Sequence, residues 1–261
     1  MNAVMEQAMP IREVGDKKCE SCGHVFKLYE TSRGVLGACK PCSDRKVLEN
    51  LHLPSFEAHR RAREMERILQ YEQVSDDLKE ATVNDYKPHN GSQQDAKQKT
   101  VHFIRGFEQN KSQSLVLSGE PGLGKSHLAY AITKAIRDQE YTALFIKTKQ
   151  LFDYVKQAYE PNSNISEQKL YRMLRDLDLL VLDDIGSEYT KNADNDFESW
   201  GSSIIEKVLD DRLGKANVYT TNYSSSDLKA KYGMSGTRIF SRMGEQAWSV
   251  RLQGEDQRLN K

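Results

Sequence analysis

The sequence predicts an α/β fold: a parallel sheet sandwiched by helices, with a small metal-binding module ahead of it. Three observations lead there. Beyond Thr100, short apolar runs alternate with longer amphipathic ones, the strand-and-helix rhythm of a parallel sheet covered on both faces. A loop of spacing G-x-x-x-x-G-K-S, in "SGEPGLGKSH" (118–127), follows one of those apolar runs directly. All 4 cysteines stand near the start in two C-x-x-C pairs.

The pairs are Cys19/Cys22 and Cys39/Cys42, with 16 residues between them. Each pair can form a knuckle presenting two thiolates, and two knuckles complete a tetrahedral zinc site. Disulfides are disfavoured in a reducing compartment, and a redox C-x-x-C has no need of a second copy. His24, in "CESCGH", is either an alternative ligand or a solvated loop histidine. Four protein ligands leave no open position for a substrate, so the site is expected to be structural. A module spanning 1–54 is too small to bury its own core and would be held together by its metal.

Residues 55–76 read as a helical linker, its helix running from Ser55 to Gln73, and serve either as a solvated spacer or as a docking helix. "YKPHNGSQQDAKQK" (86–99) is polar and turn-rich, without an apolar period, and is expected to be a loop. Strands are predicted at "SLVLSG" (114–119), "TALFIK" (142–147), "DLLVLDDIG" (178–186), "ANVYTTN" (216–222) and "WSVRL" (248–252). The helix after the first of them gathers Leu128, Ala131, Ile132 and Ala135 on one face.

Charged residues make up 29% of the 261, with 38 of each sign, so a basic surface for nucleic acid would have to be local. No apolar stretch approaches the roughly 20 residues that span a bilayer. The start lacks the apolar centre of a signal peptide. A soluble, cytoplasmic protein without membrane contact is expected.

The glycine-rich loop has the context that phosphate binding requires, a strand entering at Gly119 and a helix leaving at Lys125. Its glycines let successive N–H groups curl toward phosphate oxygens, and the helix N-terminus adds its positive dipole end. The candidate nucleotide-binding residues are Gly119, Glu120, Pro121, Gly122, Leu123, Gly124, Lys125, Ser126 and His127. Lys125 would reach the β- and γ-phosphates, and the Ser126 hydroxyl would hold Mg²⁺. "LLVLDDIG" is an apolar strand ending in two acids: Asp183 would join the Mg²⁺ shell, and Asp184 would orient or deprotonate the attacking water. Outside that context, paired acids after a strand can simply form a turn or a helix cap. Asn222, ending "VYTTN", places an amide where it could polarise the water, or is merely a turn former. Arg238 and Arg242, in "GTRIFSRMGE", lie on one helical face, as solvated surface or as an arginine finger for a neighbour's nucleotide. "KTKQLFDYVKQAYE" (147–160) mixes Lys147, Lys149 and Lys156 with Phe152, Tyr154 and Tyr159, which suits either single-stranded DNA or a helix core.

Taken in order, "GEPGLGKSHLA", "LLVLDDIGSE", "TTN", "GTRIFSRM" and "VRLQGEDQR" resemble the AAA+ ATPases, and within them the replicative helicase loaders of the DnaC/DnaI type. The likeness runs from about Asp77 to Arg258, marking 77–261 as an AAA+ ATPase domain. It implies Walker A from Gly119 to Ser126, Walker B at Asp183 and Asp184, and sensor 1 at Asn222. It also implies Arg242 as arginine finger, with Arg238 the alternative, and Arg258 as sensor 2, a nucleotide contact. A cysteine module in front is similar to the DnaI branch. The resemblance further implies slow ATP hydrolysis stimulated by DNA or a partner, with ATP, Mg²⁺ and Zn²⁺ bound. The N-terminal module would grip the hexameric replicative helicase. The ATPase domains would self-associate through their ATP sites and help place the ring on single-stranded DNA. Most AAA+ proteins carry Asp-Glu where this chain has Asp-Asp, so Asp184 is one methylene short, and Glu188, one helical turn on, is a second candidate base. Two other readings stand beside the loader: a transposition helper ATPase of the IstB type, and a zinc-dependent nucleic-acid adaptor with ATP as a structural ligand.

Overall fold

In the computed structural model, residues 12–50, 56–160, 163, 166–188 and 195–257 are described. They fall into two compact units, Met1–Phe56 and Glu57–Lys261.

The first unit holds an antiparallel meander of β1 (Arg12–Lys18), β2 (Val25–Thr31) and β3 (Gly34–Leu36), followed by α1 (Lys40–Asn50). The sequence reading, fixed on the cysteines, did not anticipate these strands. Their side chains are mostly exposed, and Phe26 and Leu28 are only half-buried. Among the unit's described residues, Cys39 alone is buried. So little burial cannot offset the chain entropy of ordering the unit, and a cross-link at the cysteines has to supply the rest.

The second unit comprises α2 (Phe56–Leu69), α3 (Asp76–Lys79), α4 (Gly91–Arg105), β4 (Ser114–Gly119), α5 (Lys125–Asp138), β5 (Ala143–Lys147), α6 (Thr148–Ala158), α7 (Glu167–Asp176), β6 (Leu179–Ile185), α8 (Asn195–Asp211), β7 (Ala216–Thr221), α9 (Ser225–Lys231), α10 (Gly233–Gly244) and β8 (Ala247–Leu252). The five predicted strands are the five strands of one parallel sheet, in the order β5-β6-β7-β4-β8. Because successive side chains point to opposite faces, each strand feeds two cores. Leu115, Leu117, Phe145, Val181 and Val218 pack with α4 and α5, while Val116, Ile146, Leu180, Leu182 and Tyr219 pack toward α6–α10. Burial on both faces explains why these strands read as continuous apolar runs.

One expectation changes, and one of two open readings gains the support of the packing. The segment expected as a loop, 86–99, holds the start of α4: Asn90 caps the helix by accepting the Gln93 N–H at 3.1 Å. Its buried face is Gln93, Ala96, Thr100 and Phe103, so half of the helical period is carried by polar residues and escapes a search for apolar ones. Phe152 and Tyr154 serve the core and are not available to stack on bases. Phe152 is buried with its ring 5.5 Å from that of Trp200, and Tyr154 meets Tyr71 edge-on at 5.2 Å. Tyr159 is exposed and donates its hydroxyl hydrogen to Glu167.

The helix expected as a linker is α2, and its Ile68 is buried in the second unit's core. Just beyond it, Glu72 binds Arg137 through both oxygens, at 2.9 and 2.5 Å, and accepts the Phe145 N–H of β5 at 3.1 Å. Near the start of β7, Arg212 is 1% exposed. Its guanidinium donates to Asn217 Oδ1 at 2.5 Å and to the carbonyls of Leu174, Leu177 and Ala216 at 2.7, 3.0 and 2.7 Å. It therefore closes the C-terminal end of α7, where carbonyls lack helical partners. No helix among the described residues is long and apolar enough to cross a membrane.

Candidate functional site

The glycine-rich loop runs from the end of β4 into α5. Gly119 has φ +136°, and a Cβ there would collide with the Leu252 carbonyl of β8. Gly124 caps α5 at φ +81°, where a Cβ would come within 2.5 Å of the Tyr86 ring, so both positions require glycine. Leu123 is fully buried and anchors the loop from beneath. Lys125 Nζ donates to the carbonyls of Gly119 and Glu120, at 2.8 and 2.7 Å, drawing the loop into a curl. Glu120 itself is exposed.

The acids sit on a bulge. Leu182 of β6 pairs with Tyr219 of β7, and Ile185 pairs with Thr221, so three steps on β6 face two on β7. Asp184 absorbs the extra residue at φ +62°. Asp183 Oδ1 accepts from Ser126 Oγ at 2.8 Å and Thr220 Oγ1 at 2.6 Å, and the Asp183 carbonyl accepts from Thr148 Oγ1 at 3.1 Å. Asn222 Nδ2 donates to Asp184 Oδ1 at 2.8 Å. Burial pushes the Asp183 carboxyl above the usual carboxylate range, and the Thr220 and Ser126 hydroxyls pull it back.

One cleft of about 950 Å³ opens over these groups. Pro121, Gly122, Gly124, Lys125, Ser126 and His127 line it from the loop side, and Asp183, Asp184 and Asn222 from the strand ends. The fit to Mg²⁺ rests on Asp183: its Oδ2 is buried without a hydrogen-bond partner, beside a hydroxyl and facing a phosphate-sized loop. A hard cation taking oxygen ligands satisfies that orphan.

Other residues fall elsewhere. Arg238 and Arg242 are not among the described residues lining the cleft. Arg238 pairs with Glu206, and Arg242 donates to Asp210 Oδ1 at 2.8 Å, two carboxylates one turn apart on α8. Arg258 lies outside the described residues. Glu188 is not a helical turn beyond β6 but a buried turn residue: Oε2 accepts the Gly186 N–H at 3.0 Å and Oε1 accepts the Tyr232 hydroxyl. With both oxygens engaged it braces the turn after β6, so of the two candidate bases it is Asp184 that lines the cleft.

The sequence reading missed three contributors. Tyr86 donates its hydroxyl hydrogen to the Leu123 carbonyl at 2.9 Å and lays its ring under Gly124; burial pushes its phenol up to about 12. Thr220 bridges the two acids, and Gln93, from the supposed loop, joins the cleft wall. Only Thr220 had a sequence signal, its place two residues before Asn222 at the end of an apolar strand.

In the first unit the Sγ atoms of Cys19, Cys22, Cys39 and Cys42 all lie within 4.8 Å of one another, with Cys19–Cys42 at 3.7 Å and Cys22–Cys39 at 3.4 Å. A tetrahedron of metal–sulfur bonds near 2.3 Å has edges of about 3.8 Å, so this set can close on a tetrahedral metal. Backbone N–H groups of Cys22 and Ser21 hold the Cys19 thiol down to about 6, while hydrogen bonding to the Cys22 and Cys19 sulfurs pushes Cys42 up to about 12. Crowded thiols that resist joint ionisation suit a shared cation. His24 is exposed and outside the group.

The chain is 26% identical over 198 residues to the replicative helicase loader DnaC of Escherichia coli (strain K12), covering 75% of this chain and 77% of that protein. It is 24% identical over 253 residues to the replicative helicase loader DnaI of Bacillus subtilis (strain 168), covering 92% of this chain and 76% of that one, so this second likeness extends into the cysteine unit. A crystal structure of the DnaC helicase loader matches with a TM-score of 0.59 at 27% identity, over 69% of this chain and 100% of the other. A family model described as IstB-like ATP binding protein covers residues 37–261, the loop, both acids and Asn222 included. With its glycine-rich loop and paired acids meeting in one cleft, the chain belongs to the family of IstB-like ATP-binding proteins.

Proposed function

We propose that this protein is an ATP-hydrolysing loader of the hexameric replicative DNA helicase, acting during DNA replication to help deposit the ring on single-stranded DNA. The observation that carries the ATPase half is the convergence of Lys125, Ser126, Asp183, Asp184 and Asn222 on one cleft. The loader half is supported by the DnaI likeness, which takes in the cysteine unit as well as the ATPase unit.

The loop amides and Lys125 would hold the triphosphate, and Ser126 and Asp183 would hold Mg²⁺, which would supply neutralisation of phosphate charge. Asp184 orients the attacking water and takes its proton as the water oxygen bonds to the γ-phosphorus and the bond to the β,γ-bridging oxygen breaks. Asn222 fixes Asp184 through the amide contact. A carboxylate one methylene short of glutamate reaches less far, which favours slow turnover raised by DNA or partner. Arg242, with Arg238 as the alternative, leaves its α8 partner to reach a neighbour's nucleotide, so ATP sites drive self-association. Arg258, as sensor 2, is a further nucleotide contact. Cys19, Cys22, Cys39 and Cys42 would hold Zn²⁺, which would cross-link the N-terminal, helicase-gripping module, and the protein works in the cytoplasm.

Lys125→Ala is expected to lower ATP affinity at least about tenfold, and with it ATP-dependent capture of the helicase. Isothermal titration with ATP and Mg²⁺, followed by co-purification with the replicative helicase, checks both. An adaptor with ATP as a structural ligand would keep its partners in this variant. Arg242→Ala is expected to lower turnover about 10²-fold or more at concentrations where molecules associate, and little in dilute protein. Turnover measured against protein concentration decides it, and a loss independent of concentration contradicts a role in trans. The family description also admits a transposition helper of the IstB type. Capture of a transposase on duplex DNA, with no helicase bound with or without ATP, would favour that reading.

A further inference from the structure

Thr220 is fully buried on β7, directly beneath the β6 bulge. Its Oγ1 accepts the Asp184 N–H at 2.8 Å and donates to Asp183 Oδ1 at 2.6 Å. A hydroxyl takes the amide hydrogen on a lone pair, and because an ionised carboxylate has no hydrogen to give, the one hydroxyl hydrogen goes to Asp183. The Asp184 N–H thus turns to a side chain where the register between the two strands shifts. Asp183 Oδ1 takes two hydroxyl donors, Thr220 and Ser126, whereas Oδ2 takes none.

We propose that Thr220 is a positioning residue for both acids. By saturating Oδ1, its hydroxyl orients Asp183 with Oδ2 as the oxygen left for a metal. By accepting the Asp184 amide, it stabilises the left-handed backbone that sends the Asp184 side chain to Asn222. One oxygen atom thereby couples the metal acid to the water-orienting acid. The inference rests on the reading of this cleft as an ATP and Mg²⁺ site.

Thr220→Val keeps the side-chain shape and removes the hydroxyl, whereas Thr220→Ser keeps the hydroxyl. In the full chain, a fluorescent ATP analogue is titrated at rising Mg²⁺ and again in EDTA, with thermal midpoints recorded. For Thr220→Val the Mg²⁺ needed for half-maximal binding is expected to rise about 10- to 100-fold, with binding in EDTA held within about twofold and Thr220→Ser close to wild type. An unchanged Mg²⁺ requirement overturns the proposal. So does Thr220→Ser failing as badly as Thr220→Val, or an equal loss in EDTA, which would mark a purely structural residue. If Thr220→Val does not fold, Thr220→Ala is measured in its place and carries the same expectation. A wild-type protein without Mg²⁺-dependent binding defeats the nucleotide reading itself and the proposal with it, whereas wild-type binding unaffected by the substitutions defeats the proposal alone.

Discussion

With zinc on the four cysteines as proposed, a zinc-selective chelator is expected to unfold residues 12–50 and abolish helicase capture, while Mg²⁺-dependent ATP binding persists. The unit's three strands are exposed along most of their length and only Cys39 is buried among its described residues, so the four sulfurs are its effective core. In metal-folded units of this size, binding contributes about 10–16 kcal/mol, far more than such limited burial can supply. Every residue assigned to the nucleotide cleft lies beyond Leu69, in the other compact unit. Hydrogen exchange by mass spectrometry reads the outcome: protection lost across β1–β3 and α1 and retained across β4–β8. Simultaneous loss in both units would contradict separate folding.

Arg212→Met is expected to destabilise the ATPase unit by about 3–5 kcal/mol, since several buried carbonyls each lose a donor at about 1–3 kcal/mol. The guanidinium faces Asn217 and backbone carbonyls from α7 and β7. Burial lowers its pKa to about 10, so it stays charged at neutral pH, and the methionine would fill the volume without satisfying the acceptors. Arg212→Lys is expected to recover only part of the loss, because one ammonium cannot reproduce the planar fork. Urea unfolding of the full chain, followed by a signal from the second unit, checks it; a midpoint within error of wild type for Arg212→Met would mean that water replaces the guanidinium freely.

The sheet was legible because a parallel strand buried on both faces must be apolar throughout, as "LLVL" and "ALFI" are. The loop and the acids were legible because phosphate binding restricts which residues can stand at each point. What stayed hidden depends on register and three-dimensional neighbours. Helix α4 buries Gln93 and Thr100, which carry no apolar signal. The bulge at Asp184 exists only relative to β7, so the bridging role of Thr220 cannot be read along one strand. Glu188 looked equivalent to Asp184 by spacing, but a turn diverts it to Gly186 and Tyr232.

The carboxylate of Glu72 has a consequence for solubility. Strand β5 is one of the two edges of its sheet, and an edge strand with a bare amide is a template on which another molecule can add its own backbone. By occupying the Phe145 N–H and holding Arg137 alongside, Glu72 gives that margin a charged guard against fibrillar growth.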